Sequence, residues 1–386
     1  MILEGIFYSK YMLFRDYSGN MYAYDYSSCI ETKTWSTDSN SPQYSCFAES
    51  NDGSVYYTKL EQSTSKYKIY NYNFTTNNEE IKFTIAKNTG FFDGCYDSTT
   101  DIYWVIRNAN GNLYLYKKNA EGTSEEEYNI GIAQSSFGDC AIRGENLYYS
   151  FGDDSIGYAT LDYTTKSATE KTTKSLDDFG VSSGEITDMA VLEDGRVAII
   201  VRDTSTSSTN DNTTKTVIYN YTVTDGGTVY SRGALVLLSS DLSLIKTLGW
   251  TDDSSVRTIS ATGSSSGYST TWTSITAYIP EYEERNSHFY GPMRIVAVRP
   301  KELVIADCGA NFVLPDYSGK KNGKMFTHNR LMTVNLRNFA ISCKKEFSED
   351  EIKFQNLAVS GNLTVTSSGT TDSIDSSKTW SDGVEK

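Results

Sequence analysis

The stretch PMRIVAVRPKELVIADCGAN, Pro292 to Asn311, decides the fold. Two β-branched runs, Ile295–Val298 and Leu303–Ala306, flank the polar turn Arg299–Glu302. Apolar alternation, β-branched content and a short connection predict a tight antiparallel hairpin. Asp307, Gly309 and Asn311 then end the second strand with turn chemistry.

The unit recurs along the chain. LFRDYSGNMYAY (Leu13–Tyr24) aligns without gaps to VIRNANGNLYLY (Val105–Tyr116), an offset of 92, or two periods of 46. Opening hairpins of the same kind occur at Phe47–Tyr57, Cys95–Val105, Cys140–Ser150 and Met189–Ile200. Their second-strand starts, Val55, Ile102, Leu147 and Val197, lie 47, 45 and 50 residues apart. A period in the forties with no helical pattern between repeats predicts an all-β fold, a β-propeller of four-stranded antiparallel blades. A ring of blades makes the whole chain, residues 1–386, one domain.

Repeats one to four are compact, spanning about 1–43, 44–92, 93–137 and 138–184. Repeat five is interrupted between its second and third strands by residues 203–233. Its end, ALVLLSSDLSLIKT, matches LMTVNLRNFAISCK of repeat six at a constant offset of 97, which marks the intervening residues as insertion. A second excursion, 251–290, joins repeats five and six, and a third, 308–329, splits the second and third strands of repeat six. The last segment, 351–386, reads as strand, Gly-Asn turn and strand over Gln355–Ser367, and SKTWSD echoes TKTWST of repeat one. It is expected to be a thin seventh blade that closes the ring and removes its open edges, with six blades plus a closing hairpin as the alternative.

Composition limits function. Net charge is −14, with Asp+Glu 49 against Lys+Arg 35, and no basic patch carries interleaved aromatics, so nucleic acid is not an expected partner. No apolar run approaches the length needed to span a bilayer. Met1–Phe14 carries Glu4 and lacks a basic start followed by an apolar core, so it does not read as a signal peptide. The Ser/Thr/Asn/Tyr-rich surface nevertheless favours an extracytoplasmic setting, with a cytoplasmic one as the alternative. Asn73, Asn212, Asn220 and Asn362 head glycosylation sequons, which matter only in a glycosylating host. The six cysteines show no C-x-x-C spacing and there are only two histidines, so no metal and no cofactor is expected. Cys95 and Cys140, seven residues before equivalent strand starts, read as small apolar residues on inner strands, with a disulfide between blades left open.

P-x-x-I-x-A-V…L-x-I-A-D-x-G-x-N, carried by Pro292, Ile295, Ala297, Val298, Leu303, Ile305, Ala306, Asp307, Gly309 and Asn311, resembles the repeat of the NHL β-propeller family. One repeat matches well and the others keep only the hydrophobic pattern and turns. The resemblance implies a propeller that binds a ligand or partner on a loop face. Some members are metal-dependent lyases or lactonases, but their ligand residues have no counterparts matched here.

Strand direction alternates within a blade, so second-to-third loops and inter-blade connections emerge at the same face. All three insertions are of these two kinds. Long loops on one face of a rigid scaffold predict a binding surface. The candidate ligand-binding residues there are Tyr230, Trp272, Tyr278, Tyr282, Tyr290 and Tyr317, with His288 and His328. Tyr and Trp combine contact area with a polar tip, and the competing reading is a satellite core beneath the loops. Arg15, Arg107 and Arg202 end the second strands of their repeats on the same face. They read either as partners of a neighbouring blade or as an arginine ring for an anionic ligand. Together these features predict a non-catalytic propeller that binds a protein or glycan over blades five and six. The alternative is a propeller hydrolase or lyase with a carboxylate and cation site in the central channel, and no catalytic residue is assigned.

Overall fold

The computed structural model describes residues 10–15, 20–35, 44–61, 66–86, 91–109, 112–118, 125–134, 136–181, 184–203, 233–249, 288–307 and 329–346, together with the short hairpin strands given below. The chain is a six-bladed β-propeller. Blade 1 holds β1 (Tyr11–Arg15), β2 (Met21–Asp25) and β3 (Glu31–Trp35). Blade 2 is β4 (Tyr44–Glu49), β5 (Val55–Glu61), β6 (Lys66–Asn73) and β7 (Asn78–Ala86). Blade 3 is β8 (Phe91–Asp97), β9 (Ile102–Ala109), β10 (Asn112–Lys118) and β11 (Glu125–Ala133). Blade 4 is β12 (Phe137–Arg143), β13 (Asn146–Phe151), β14 (Ser155–Asp162) and β15 (Ser167–Ser175), followed by a short 3-10 helix, Leu176–Phe179.

In blade 5, β16 (Gly184–Val191) and β17 (Val197–Asp203) pair in sequence. The chain then makes a separate hairpin, β18 (Thr213–Thr216) and β19 (Tyr221–Thr224), before β20 (Gly233–Leu238) and β21 (Leu244–Leu248) complete the sheet. A second separate hairpin, β22 (Val256–Ile259) and β23 (Ile275–Tyr278), precedes blade 6. Blade 6 opens with β24 (Pro292–Arg299) and β25 (Glu302–Asp307). Before the blade resumes come the strand pairs β26 (Ala310–Val313) with β29 (Lys324–Thr327), and β27 (Asp316–Tyr317) with β28 (Lys320–Lys321). It ends with β30 (Arg330–Asn335) and β31 (Ile341–Glu346).

Burial runs from the axis outward. β20 is buried at every position, because each of its faces is covered by a neighbouring blade. The outermost strands β15 and β21 alternate with solvent or face it. Apolar clusters fill each gap: Tyr148, Phe179, Met189, Val201 and Val236 between blades 4 and 5, and Ile200, Leu237, Phe289, Ile305 and Met332 between blades 5 and 6. Burying this aliphatic surface, at about 25 cal/mol per Å², is the main drive for the ring.

A repeated turn chemistry joins third to fourth strands. Asp25, Asn73, Asp162 and Asn335 each accept backbone N–H groups two and three residues on. The residue four positions beyond each, Cys29, Asn77, Lys166 and Phe339, takes a positive φ of 52–61°. An Asx turn holds the loop tightly enough to support left-handed residues that are not glycine.

The blade count corrects the expectation of seven. Met12 and Tyr26 of blade 1 pack directly on Val296, Ala297, Val304 and Leu331 of blade 6, so no further blade stands between them. In 351–386, β32 (Leu363–Ser367) pairs with β33 (Thr370–Ile374) and β34 (Trp380–Ser381) with β35 (Val384–Glu385), each within itself. Among the described residues no helix is long and apolar enough to cross a membrane.

Candidate functional site

The strand orders β16-β17-β20-β21 and β24-β25-β30-β31 put all three insertions at the same end of the ring, over adjacent blades. There the hairpins of the second and third insertions meet, β23 lying against β26. Their stems are fixed by a buried polar knot. Asp307 and Arg330 face each other on the last rung of β25 and β30, where the third insertion leaves and re-enters the sheet. Their side chains form an ion pair that is almost completely buried. The Asp307 carboxylate also accepts the backbone N–H of Tyr290 at 3.0 Å and of Gly291 at 2.6 Å. Arg330 donates to the carbonyl of His288 at 2.8 Å, and its guanidinium lies 4.4 Å from the Tyr290 ring centre. One salt bridge therefore ties the ends of the second and third insertions together. Two glycines allow close approach at these stems: a Cβ on Gly233, at the end of the first insertion, would lie 2.1 Å from Pro292, and one on Gly249 (φ 88°), before the second, would lie 2.5 Å from the Phe289 ring.

His288 and Tyr290 thus belong to the satellite core under the loops. They are 6% and 0% exposed, which does not suit direct ligand contact from the outer surface. Arg202 is half-buried, and its partner is in its own blade: Nε and Nη2 reach Glu185 at 2.9 Å, directly across the β16–β17 ladder. Toward the neighbouring blade its Nη1 lies 2.9 Å from the Met293 sulfur. Arg15 ends β1 and Arg107 lies near the end of β9, while Tyr278 and Tyr317 end β23 and β27; only their strand positions are described. Tyr230, Trp272, Tyr282 and His328 lie outside the described residues.

The central channel is walled by the first strands of blades 2 to 6. A cavity of about 200 Å³ on the axis is lined by Glu49, Tyr96, Arg143, Glu193 and Arg299 among others. A shallower one of about 310 Å³ at the insertion face is lined by Asp139, Glu185, Thr187, Arg202, Met293 and Arg294. Two buried carboxylates face this axis, and both act as struts. Asp139 of blade 4 accepts the N–H of Met189 in blade 5 at 2.5 Å, and Asp188 of blade 5 accepts that of Ile295 in blade 6 at 2.7 Å. Each acid therefore grips the next blade's innermost strand. At the other end of the channel Glu49 accepts the N–H groups of Lys10 and Tyr11 at 2.8 and 3.2 Å. Burial pushes its carboxyl up to about 7, against the opposing pull of those two N–H groups and of the Lys10 and Arg299 charges. Among the described residues no three His, Cys, Asp or Glu side chains are disposed to hold a metal ion. Cys29, Cys95, Cys140 and Cys343 are not joined in disulfides, and Cys95 packs on the cluster between blades 3 and 4 that contains Cys140.

Sequence reasoning passed over the strut acids, although Asp139 and Asp188 immediately precede the equivalent inner-strand residues Cys140 and Met189. Arg330 had no signal of its own.

Residues 247–356 match the family described as the TdpA C-terminal domain, a span that takes in the blade 5–6 connection and all of blade 6. No curated protein matches. Among solved structures, a nidogen/laminin complex is similar over 88% of this chain and 94% of its own, at 10% identity and TM-score 0.47. A luciferin-regenerating enzyme is similar over 84% and 93%, at 11% identity and TM-score 0.41. The WD40 repeats of RRP9 are similar over 62% of each chain, at 16% identity and TM-score 0.39. Likeness at these identities concerns the fold alone.

Proposed function

We propose that the protein is a binding propeller that recognises a protein or glycan through the insertion face over blades 5 and 6. The observation that carries this reading is the common emergence of three insertions from one face, stapled at their stems by the buried Asp307–Arg330 pair. A scaffold that spends a buried ion pair on fixing loop stems presents the loops in one relative arrangement, which lowers the ordering cost of binding. The strut geometry of Asp139 and Asp188 also favours binding over channel chemistry, because one oxygen of each is held by the next blade's backbone N–H. The NHL-like reading of Pro292–Asn311 belongs to this proposal, as does an extracytoplasmic setting.

The test removes loops and keeps the ring. Excising 204–232, which spares Gly233 and its contact with Pro292, or 262–282, with a short Gly/Ser bridge, should leave the melting transition in place. Halving a flexible loop changes closure entropy by only about 0.6 kcal/mol. Capture in a pull-down or on a glycan array should fall. Replacing Trp272 and Tyr282 by Ala should cost about 2 kcal/mol or more each if they are anchors. Equal capture by trimmed and intact protein would move the site to the channel and favour a hydrolase or lyase.

A further inference from the structure

The channel cavity carries different charge at its two ends. Toward the insertion face it is lined by Asp139 and Asp188, with Arg294 3.7 Å from Asp188, so no positive charge is left over there. At the opposite mouth, where first strands turn into second strands, its lining includes Arg143, Arg299, Glu49 and Glu193. The two arginines hold matching places. Each is on the last rung of its opening hairpin, Arg143 across from Asn146 in blade 4 and Arg299 across from Glu302 in blade 6. Arg299 is fixed by the Tyr26 ring, 3.8 Å from its guanidinium. Arg143 is half-buried, and among the described residues its guanidinium has no ion pair and no hydrogen bond. Five N–H donors drawn partly out of water without an acceptor are costly unless something else supplies one. The two acids do not fill that need: Glu49 accepts the N–H groups of Lys10 and Tyr11, and Glu193 is exposed to solvent.

We infer that this mouth binds a small organic carboxylate, its head on Arg143 and Arg299 and a short apolar tail in the bore behind them. The head follows from the forked geometry of guanidinium groups, which pair with a planar carboxylate through two parallel hydrogen bonds. The tail follows from what lies inside. Ala141 and Ala297 stand two residues before the arginines, on the same face of their strands, and both line the cavity with Ala48, Tyr96 and Ala190. Small apolar side chains leave an uncharged bore, which suits a hydrocarbon and not a second charge. The cavity of about 200 Å³ has room for roughly seven water-sized groups, or a chain of a few carbons. Asp139 and Asp188 at the far end repel a carboxylate, so the head stays at the arginine mouth. This site is separate from the insertion face and asks for no reaction.

Hexanoate is the probe, titrated into the full-length protein and followed by ligand-detected NMR. It should bind saturably, while hexanol, a tail without charge, and phosphate, a charge without tail, should bind about tenfold more weakly or not at all. Arg143→Gln should weaken hexanoate by about tenfold or more, and Arg143→Lys, which keeps the charge and loses the fork, should fall between. Arg337→Gln removes an exposed cation from a turn of blade 6 at the same end of the ring, outside the cavity lining, and should leave binding unchanged. Ala190→Leu narrows the bore and should weaken hexanoate more than acetate. Any of three results overturns the inference. Absence of saturable hexanoate binding leaves the mouth without this ligand. Phosphate binding as tightly as hexanoate would make it a site for inorganic anions. An equal loss in Arg143→Gln and Arg337→Gln would reduce it to diffuse surface charge.

Discussion

The two sides of blade 6 are held by different chemistry. Toward blade 5 the seam is built on bonds from side chains to backbone groups. Asp188 takes the Ile295 N–H, Thr187 donates to the Pro292 carbonyl, Arg196 donates to that of Leu336, and Phe289 fills the apolar cluster. Toward blade 1 the apolar contact is smaller, and charged side chains do the fastening. Tyr26 lies between Arg299, at 3.8 Å, and Lys344, at 4.1 Å, and its hydroxyl bonds Glu302; Lys345 donates to the Cys29 carbonyl at 2.8 Å. The bonds of the first seam join consecutive blades, residues 105 to 140 apart in sequence, while those of the second join residues 276 to 316 apart. A seam between distant parts of the chain is therefore clasped by long side chains at its rim, where a seam between neighbours is fixed by short acids in its core.

The blade 5 side should break hardest at the stem knot. Arg330→Met leaves the Asp307 carboxylate buried without its cation, and a loss of about 3–5 kcal/mol is expected in urea unfolding. Replacing both, Arg330→Met with Asp307→Leu, should recover part of it, because no buried charge remains. A single variant as stable as the parent would mean that water reaches the knot.

The next seam round the ring, between blades 1 and 2, should instead respond to pH, through Glu49, which also feels the Arg299 charge of blade 6. Its carboxyl is held at about 7, above the ordinary value of 4.5, so the folded chain binds this proton more tightly than the unfolded chain. The stabilisation is complete below about 4.5 and is lost as pH rises through about 7. Relative to Glu49→Gln, the parent should lose on the order of 2–3 kcal/mol between pH 4.5 and 8, at about 1.4 kcal/mol per unit. Parallel stability curves for the two proteins would remove Glu49 from the account.

A smaller effect is expected at the strut. Asp188→Ala leaves the part-buried Ile295 N–H without its acceptor, a cost of about 1 kcal/mol read in the same unfolding assay. Asp188→Asn should recover much of it, since an amide oxygen still accepts.

These contrasts mark what the sequence can convey. The propeller is legible because each blade repeats its hairpin at a period near 46, and the insertions because a constant offset resumes after them. Blade number was not legible. Gln355–Ser367 carries the chemistry of an opening hairpin, and the sequence does not say whether such a segment adds a blade or completes one. At the candidate face, a count of aromatics could not separate Tyr290, sealed under the Asp307–Arg330 pair, from exposed ones, because that pair joins residues 23 apart across an insertion. Arg202 was visible as a strand end, but its partner Glu185 follows only from the ladder register.

The finest test of the comparison is Tyr26 itself. Tyr26→Phe keeps the ring between the two cations and removes only the bond to Glu302, so a loss of about 0.5–1.5 kcal/mol is expected. Tyr26→Leu also removes the aromatic face, adding about 0.5–1 kcal/mol for each cation. The increment between the two variants isolates the cation–π share, and salt should shrink it. At 1 M ionic strength the screening length falls to about 3 Å, shorter than either cation-to-ring distance. The Asp188 strut, buried in its seam, should change little over the same range. Melting curves at about 0.05 and 1 M NaCl therefore separate the two sides of blade 6. If both variants lose the same stability at both salt concentrations, the two cations are bystanders, and the blade 1 seam rests on the apolar packing of Met12 with Val296, Ala297, Val304 and Leu331 and on the Lys345–Cys29 bond.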